Sequence, residues 1–184
     1  AHTDYDFRCY KKGTLSRRIQ RRMSLRHVEK IGDYLDLLRK DRSEIGSLFK
    51  DLLISVTSFF REKVAWAALQ HDVIAPLVRE KSRDQAVRVW VPGCATGEEA
   101  YSLAILLYEE FEAQDKHLNV QIFATDLDRD AIDSARTGIY PISVASDVSA
   151  ARLEKFFHEE GGNYRVNKRI RESCVFAVQN LVAD

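Results

Sequence analysis

Two carboxylates, Glu98 and Glu99, directly follow a loop of small residues, Gly93–Gly97, in the middle of the chain. The apolar run before this loop predicts a strand, and the apolar spacing from Ala100 onward predicts a helix that buries one face. Small residues let the backbone approach a ligand closely, and the helix points its unpaired N–H groups and positive dipole end at the same place. This arrangement could hold an adenosine-containing cofactor.

The loop also indicates which kind of cofactor would fit. A dinucleotide site uses the pattern Gly-x-Gly-x-x-Gly around a pyrophosphate, whereas this loop reads Gly93-Cys-Ala-Thr-Gly97-Glu98-Glu99. Two carboxylates at a helix start would repel a diphosphate and attract a cation. S-adenosylmethionine carries a sulfonium and an ammonium group but no phosphate, so it suits the loop better.

A second apolar run, Val120–Thr125, ends at Asp126, and the segment between the runs is long enough for a right-handed strand-helix-strand crossover. An acid at the tip of the second strand can accept hydrogen bonds from both ribose hydroxyls. The alternative is that Asp126 only caps the next helix, which should begin near Arg129 and stop at Gly138. Of the two nearby acids, Asp128 is the better candidate for the cap.

Composition restricts the class of protein. With 184 residues, 45% hydrophobic content and zero formal net charge, the chain can bury one moderate core or two small ones. It contains no apolar run long enough to span a bilayer and no signal-peptide pattern, so we expect a soluble cytoplasmic protein. Three scattered cysteines and five scattered histidines predict neither disulfides nor a metal site. Cys94 suits an apolar filler better than a nucleophile.

The positive charge is concentrated near the start. Residues 8–30 contain nine lysines or arginines and a single acid, and Arg18, Arg22 and Arg26 run beside an apolar helical stripe. These arginines form either a solvated face of an ordinary helix or a contact for an acidic partner. No interleaved aromatics or nucleic-acid motif accompany them, so we expect no nucleic acid; electrostatics gives the partner's sign and not its identity.

The remaining patterns predict the domain organisation. Helical spacing over 31–38, over 43–54 with Ser43 as N-cap, and over 64–78 with a kink or break at Pro76 gives a helical N-terminal domain at 1–75. The cofactor domain would occupy 76–184. Within it, a turn at Gly161-Gly162 and a second turn at 167–168 predict a β insert at about 154–178, before a return to the main sheet.

Five motifs, in this order and spacing, closely resemble the CheR-type chemoreceptor glutamate methyltransferases, and together they cover nearly the whole chain. They are Ser55-Val-Thr57-Ser-Phe59-Phe60-Arg61-Glu62, Cys94-Ala-Thr96-Gly97-Glu98-Glu99-Ala-Tyr101-Ser102, Ala124-Thr-Asp126-Leu-Asp128, Gly138-Ile-Tyr140 and Gln179-Asn180-Leu181.

The resemblance implies an all-α N-terminal domain followed by an α/β, Rossmann-like S-adenosylmethionine domain that carries a small antiparallel β insert. It also implies transfer of a methyl group to glutamate side chains of chemotaxis receptors, which leaves S-adenosylhomocysteine. The partner would then be the acidic helices of a receptor cytoplasmic domain, met by Arg18, Arg22 and Arg26.

Site residues carry over one by one from the resemblance. Thr57 and Arg61 match positions that meet the cofactor, and Ser55 stands where many members have Asn. Gly93 opens the cofactor loop, Glu98 matches the acid at the methionine end and Asp126 matches the ribose ligand. The last two, Asn180 and Leu181, match contacts near the adenine.

The chemistry asks little of a base, because a glutamate carboxylate is already ionised at neutral pH, so catalysis would be mainly proximity and orientation. Arg61 is the candidate catalytic residue, since a guanidinium can orient the carboxylate of the cofactor or of the substrate. An ordinary surface arginine is the alternative.

Two rival functions stay open. One alternative is a non-catalytic signalling module that binds the cofactor or a receptor, either alone or as part of a larger fusion. A nucleic-acid methyltransferase would need a motif such as Asn-Pro-Pro-Tyr, which this chain lacks. Family members also continue past the position of Asp184, so we expect an incomplete methyltransferase domain with weak or no activity unless another segment completes it.

Overall fold

The computed structural model describes residues 11–53, 56–82 and 85–181. The described residues form two compact units, 11–53 and the part from 56 to 181. The sequence-based boundary between residues 75 and 76 lies inside the second unit. Ser55, a predicted cofactor contact, falls outside the described residues.

The first unit consists of three helices, α1 (Lys12–Leu25), α2 (Ile31–Lys40) and α3 (Arg42–Leu52). Asp41 caps α3, because its carboxylate accepts hydrogen bonds from the backbone N–H groups of Ser43 and Glu44. The prediction that Ser43 is the cap is therefore wrong. Ser43 lies in the first turn and donates its hydroxyl to Asp41 at 2.6 Å, since an ionised carboxylate is the stronger acceptor.

A buried carboxylate joins these three helices. Glu44 on α3 is only 1% exposed, and its two oxygens accept hydrogen bonds from Arg22 on α1 at 3.0 and 2.7 Å. The hydroxyl of Tyr34 on α2 donates to the same carboxylate at 2.7 Å. The bonds from Arg22 hold the pKa of Glu44 below its ordinary value despite its burial.

Near its start the second unit contains a long helical stretch, which agrees with the helix predicted over 64–78 except at its middle. Helix α4 (Lys63–Leu69) runs through a π-helical turn (Gln70–Ile74) into α5 (Ala75–Glu80). Pro76 stands in the first turn of α5 and does not end the helix. A proline ring crowds the carbonyl four residues before it, here Asp72, and the wider π turn falls at that position.

The main sheet is parallel and has the order β1 (Val87–Pro92), β2 (Val120–Asp126), β6 (Cys174–Val178). Helices α6 (Glu98–Ala113) and α7 (Arg129–Thr137) pack against it. Positions 100–108 of α6 are all buried, more than the single face predicted, because α6 also contacts α5 and α9 (Lys168–Glu172).

The opposite face of this sheet carries exposed apolar side chains. Trp90, Phe123 and Val175 are neighbours in the strand register and are 54%, 42% and 49% exposed. They alternate with buried residues that face α6 and α7.

A small antiparallel sheet has the order β3 (Ile139–Pro141), β5 (Asn163–Val166), β4 (Phe157–Glu160). The predicted turn at Gly161-Gly162 is confirmed, and so is the return of residues 174–178 to the main sheet. The predicted turn at 167–168 is wrong, because Asn167 instead caps α9 by accepting from the N–H of Ile170.

The rest of the second unit is a 3₁₀ turn (Ile142–Ser146) and α8 (Ala150–Phe156). No helix in the described ranges is long and apolar enough to cross a membrane.

Candidate functional site

The carboxyl ends of the three parallel strands meet at one edge of the main sheet. β1 leads into Gly93, β2 ends at Asp126, and β6 is followed by Gln179 and Asn180. The ends are tied together, since the N–H of Cys94 donates to the carbonyl of Thr125 at 3.0 Å and the N–H of Gln179 donates to that of Asp126 at 2.9 Å. Ligands of open α/β sheets bind at this edge.

The loop after β1 has a conformation that depends on glycine. Gly97 has φ of 95°, and a Cβ placed there would come within 2.9 Å of the Cβ of Ala135, so no larger residue fits without a shift. Gly93 has φ of 70° and no atom within 4 Å of the place a Cβ would occupy. The first glycine therefore leaves open space, and the last lets the loop pack on α7.

Asp126 fastens this loop. One carboxylate oxygen accepts from the N–H of Ala95 at 2.8 Å, and the other accepts from the N–H of Asp128 at 2.9 Å. Asp128 is confirmed as the cap of α7, because its side chain accepts from the N–H groups of Asp130 and Ala131. Asp126 is half-buried, and each oxygen keeps a lone pair for a further donor such as a ribose hydroxyl.

A phosphate at a helix start is bound by free backbone N–H groups. The N–H groups of Cys94, Ala95 and Gly97 already donate to Thr125, Asp126 and Cys94. The charged side chains that directly follow the loop are the carboxylates of Glu98 and Glu99, and the carboxylate of Asp126 is bonded to it. These carboxylates favour a nucleoside that carries an ammonium group over one that carries a phosphate.

Glu98 begins α6 and is half-buried. The hydroxyl of Thr96 donates to its carboxylate at 2.7 Å, and burial raises the pKa of Glu98 above its ordinary value. The hydroxyl of Tyr140 in turn donates to the carbonyl of Thr96 at 2.7 Å. Glu99 is exposed. A cation beside Glu98 would recover part of the cost of burying its charge.

The segment 56–61 lies against the first turns of α6. Phe59 and Phe60 are buried, and the N–H of Phe60 donates to the hydroxyl of Ser102 at 3.1 Å. Thr57 is half-buried, while Arg61 is exposed and donates to the carbonyl of Val56 at 3.0 Å. Arg61 therefore stands at the surface, held by the backbone of its own segment.

Other candidate residues are placed as follows. Asn180 is half-buried and Leu181 is 55% exposed. Cys94 is 1% exposed, and burial raises the pKa of its thiol to about 12, so it is no thiolate nucleophile at neutral pH.

Two of the three predicted receptor-binding arginines in the first unit, Arg22 and Arg26, have acidic partners within the unit. Arg22 is 15% exposed and binds Glu44, and Arg26 pairs with Asp41 at 3.1 Å. Arg18 is half-buried, and within the described part of the chain no acid pairs with it. The contact with a receptor stays a prediction.

Ser102 and Glu44 escaped the sequence reasoning. The hydroxyl of Ser102 accepts a hydrogen bond from the N–H of Phe60, 42 residues earlier in the chain. Glu44 binds Arg22, which is 22 residues away. No local spacing signals either pair, although Ser102 falls inside a motif of the family.

Comparison with known proteins agrees with this geometry. Residues 55–184 match the family model described as CheR methyltransferase, SAM binding domain, and residues 1–53 match the CheR methyltransferase, all-alpha domain. The chain is 44% identical over 181 residues to an uncharacterized 104.1 kDa protein of Rhodobacter capsulatus, a match that covers 98% of this chain and 19% of that protein.

Two chemotaxis protein methyltransferases are also similar. The one from Listeria monocytogenes is 31% identical over 179 residues, covering 97% of this chain and 66% of the relative. Chemotaxis protein methyltransferase 2 of Pseudomonas aeruginosa is 31% identical over 170 residues, covering 90% and 58%. The chain thus spans less than two thirds of the length of these relatives.

The matched domains confirm the predicted all-α part, the α/β cofactor domain and S-adenosylmethionine as the family's cofactor. The chain belongs to the CheR methyltransferase family.

Proposed function

We propose that this chain is the helical and cofactor-binding part of a protein-glutamate O-methyltransferase that acts on chemotaxis receptors in the cytoplasm. The observation that carries the proposal is the loop fastened by Asp126. The N–H groups of Cys94, Ala95 and Gly97 are bonded internally, and a half-buried carboxylate, Glu98, stands one residue beyond the loop. This combination favours a cationic nucleoside over a phosphate-bearing one.

In this proposal each predicted contact has a place along the cofactor. Asp126 accepts from the ribose hydroxyls at the tip of β2, and Glu98 pairs with the ammonium group. Asn180 and Leu181, which follow β6, meet the adenine. Gly93 leaves room for the ligand, Thr57 and Arg61 approach from the segment that precedes α4, and Ser55 stays a contact predicted from the sequence.

When bound, S-adenosylmethionine supplies a methyl group on a sulfonium, ready for in-line displacement by a nucleophile. The acceptor glutamate is ionised at neutral pH, so the site needs no strong base and contributes orientation and exclusion of water. The exposed guanidinium of Arg61 has donors left beyond its bond to Val56, and a carboxylate can accept two of them side by side.

The basic face of α1 is the proposed contact for acidic receptor helices. Arg22 and Arg26 are already paired within the unit, since they hold Glu44 and Asp41. Arg18 and the exposed Arg17 and Arg21 would supply the surface charge. Such a contact should weaken with salt, because exposed charges are screened within about 8–10 Å at physiological ionic strength.

The test is methyl transfer from radiolabelled S-adenosylmethionine to receptor-containing membranes by the protein in its full natural length. We expect label that base releases as methanol, as from a methyl ester, and its loss in Asp126→Ala. Asp133→Asn is the matched control, because Asp133 is an exposed acid on α7 that pairs with Arg136. Absence of base-labile label on the receptor with the wild-type protein would reject the proposal.

A second function is favoured by one comparison. The relative from Rhodobacter capsulatus is mostly sequence that this chain does not match, so the two domains occur there within a much larger protein. A module that binds the cofactor or a receptor without turnover would bind S-adenosylhomocysteine yet leave receptors unlabelled in the same assay.

A further inference from the structure

Ser102 is a buried hydroxyl between two parts of the proposed site. It lies on α6, one turn after Glu98, and is 0% exposed. Its hydroxyl donates to the carbonyl of Glu98 at 2.7 Å and accepts from the N–H of Phe60 at 3.1 Å. Both the donor and the acceptor capacity of this side chain are therefore used.

Three other helical serines among the described residues form a bond like the first of these. Ser24, Ser47 and Ser134 each donate to the carbonyl four residues earlier, at 2.9–3.1 Å; Ser24 and Ser134 are exposed and Ser47 is half-buried. That local bond is common for serine in helices and contributes little to stability. Ser102 differs because it also receives an N–H from a segment 42 residues away.

The N–H that Ser102 receives belongs to a constrained stretch of backbone. Phe60 is 5% exposed and has φ of 48°, a left-handed conformation that costs a residue with a side chain about 1–2 kcal/mol. Such a conformation persists only where its surroundings determine it. The aromatic ring packs edge-on to Trp66 and beneath the guanidinium of Arg152, which fixes the side chain. Ser102 fixes the backbone.

Thr57 and Arg61 flank Phe60 on the same segment, and Glu98 is bonded to the other side of the Ser102 hydroxyl. One hydroxyl thus links the backbone that carries Thr57 and Arg61 to the first turn of α6. Phe59 adds a second link, because its ring packs edge-on against Tyr140 at 4.9 Å, and Tyr140 holds the loop at Thr96.

We propose that Ser102 is a positioning residue, which sets Thr57 and Arg61 in register with Glu98 around the amino-acid end of the cofactor. The proposal rests on the proposed function. Asp126 takes the ribose at the tip of β2, so the amino-acid end is the part of the ligand that reaches Glu98. Loss of the hydroxyl should therefore weaken contacts to that end and spare those to the nucleoside.

Two ligands separate these contacts. S-adenosylhomocysteine carries the amino-acid end, and 5′-methylthioadenosine has the same nucleoside without it. Titration calorimetry on the full chain gives the ratio of the two affinities. In Ser102→Ala we expect S-adenosylhomocysteine to bind about tenfold more weakly, as for one unsatisfied buried N–H, and methylthioadenosine to change by less than about threefold. Ser134→Ala, which removes only a local bond, should keep both affinities.

A second readout follows the backbone itself. Amide hydrogen exchange at Phe60 should accelerate at least about tenfold in Ser102→Ala, while the amides of β2 keep their protection. A merely structural role in the core would lower protection throughout the unit and weaken both ligands together.

The outcomes are distinct. If the wild-type chain binds neither ligand, the proposed function fails. If it binds S-adenosylhomocysteine and Ser102→Ala leaves the affinity ratio unchanged, the role of Ser102 is overturned while the function stands. Should the alanine variant not fold, Ser102→Cys is nearly isosteric with a weaker donor and acceptor, and an unchanged ratio there overturns the role equally.

Discussion

Asp126 and Asp128 stand two residues apart, and we expect substitution by asparagine to destabilise the protein at Asp126 but not at Asp128. Asp126 uses both carboxylate oxygens, one for the N–H of Ala95 and one for the N–H of Asp128. Asp128 accepts two N–H groups through a single oxygen. Asparagine keeps one carbonyl oxygen and replaces the other with an amide that cannot accept.

The magnitude follows from this count. In Asp126→Asn one of the two N–H groups loses its acceptor, and the bond that remains is no longer assisted by charge. A hydrogen bond to a charged group contributes about 1.5–3 kcal/mol, so we expect a loss of about 2 kcal/mol in the free energy of unfolding of the second unit. One of the two N–H groups belongs to Ala95, which is 6% exposed and has φ of 46°, a conformation that this bond helps to hold.

The control is Asp128→Asn, for which we expect a change within about 0.5 kcal/mol, because Asn and Asp are equally good N-caps. Urea unfolding followed by tryptophan fluorescence measures both variants. The two tryptophans, Trp66 and Trp90, lie in the second unit, so the signal reports that unit alone. Equal effects of the two substitutions, or an Asp126→Asn variant as stable as the wild type, would refute the loop-fastening role.

Three further predictions concern charge. Glu44→Gln leaves Arg22 as a largely buried cation without its partner and should cost the first unit about 3 kcal/mol, measured by circular dichroism during urea unfolding. Lys116→Met should cost the second unit about 1–2 kcal/mol, because the ammonium donates to three carbonyls at the end of α5, those of Val78, Arg79 and Lys81. Affinity for S-adenosylhomocysteine should fall as pH drops through the raised pKa of Glu98, since the protonated acid cannot pair with an ammonium group, and Glu98→Gln should flatten this dependence.

Each of these three predictions has an outcome that would contradict it. Folding lowers the pKa of Glu44, so its contribution to stability should be complete above the unfolded-state pKa of about 4.3 and be lost as the pH falls through the lower folded-state pKa; a first unit whose stability rises on acidification would contradict it. Lys168→Met removes an exposed pair with Glu172 and should change nothing measurable. If Lys116→Met also leaves the free energy of unfolding unchanged, the three hydrogen bonds of Lys116 contribute nothing to stability. For Glu98, the decline must begin at a higher pH than for an ordinary glutamate.

The sequence predicts best where a signal is local. Helix α7 begins after Asp128 and stops at Gly138 as predicted, because a capping carboxylate and a residue free to adopt positive φ lie at its two ends. The strand, loop and helix around Gly93 are predicted for the same reason. Asp126 required the structure, since its role as a fastener depends on the N–H of Ala95 across the sheet edge.

The failures come from competition and from contacts distant in sequence. Ser43 is a reasonable cap until Asp41, two residues earlier, supplies a stronger acceptor. The amino acids of 167–172 tolerate a turn or a helix, and the cap supplied by Asn167 selects the helix. The arginines of α1 resemble a free basic face because nothing in their spacing reveals Glu44 on another helix.

The central claim is that the loop and its carboxylates hold a nucleoside that carries an ammonium group and reject one that carries phosphates. Titration calorimetry of the full chain with S-adenosylhomocysteine and with a nicotinamide dinucleotide tests it in one experiment. We predict one-to-one binding of S-adenosylhomocysteine that is lost in Asp126→Ala, and no binding of the dinucleotide. Binding of the dinucleotide, or affinity for S-adenosylhomocysteine that Asp126→Ala leaves unchanged, would contradict the account.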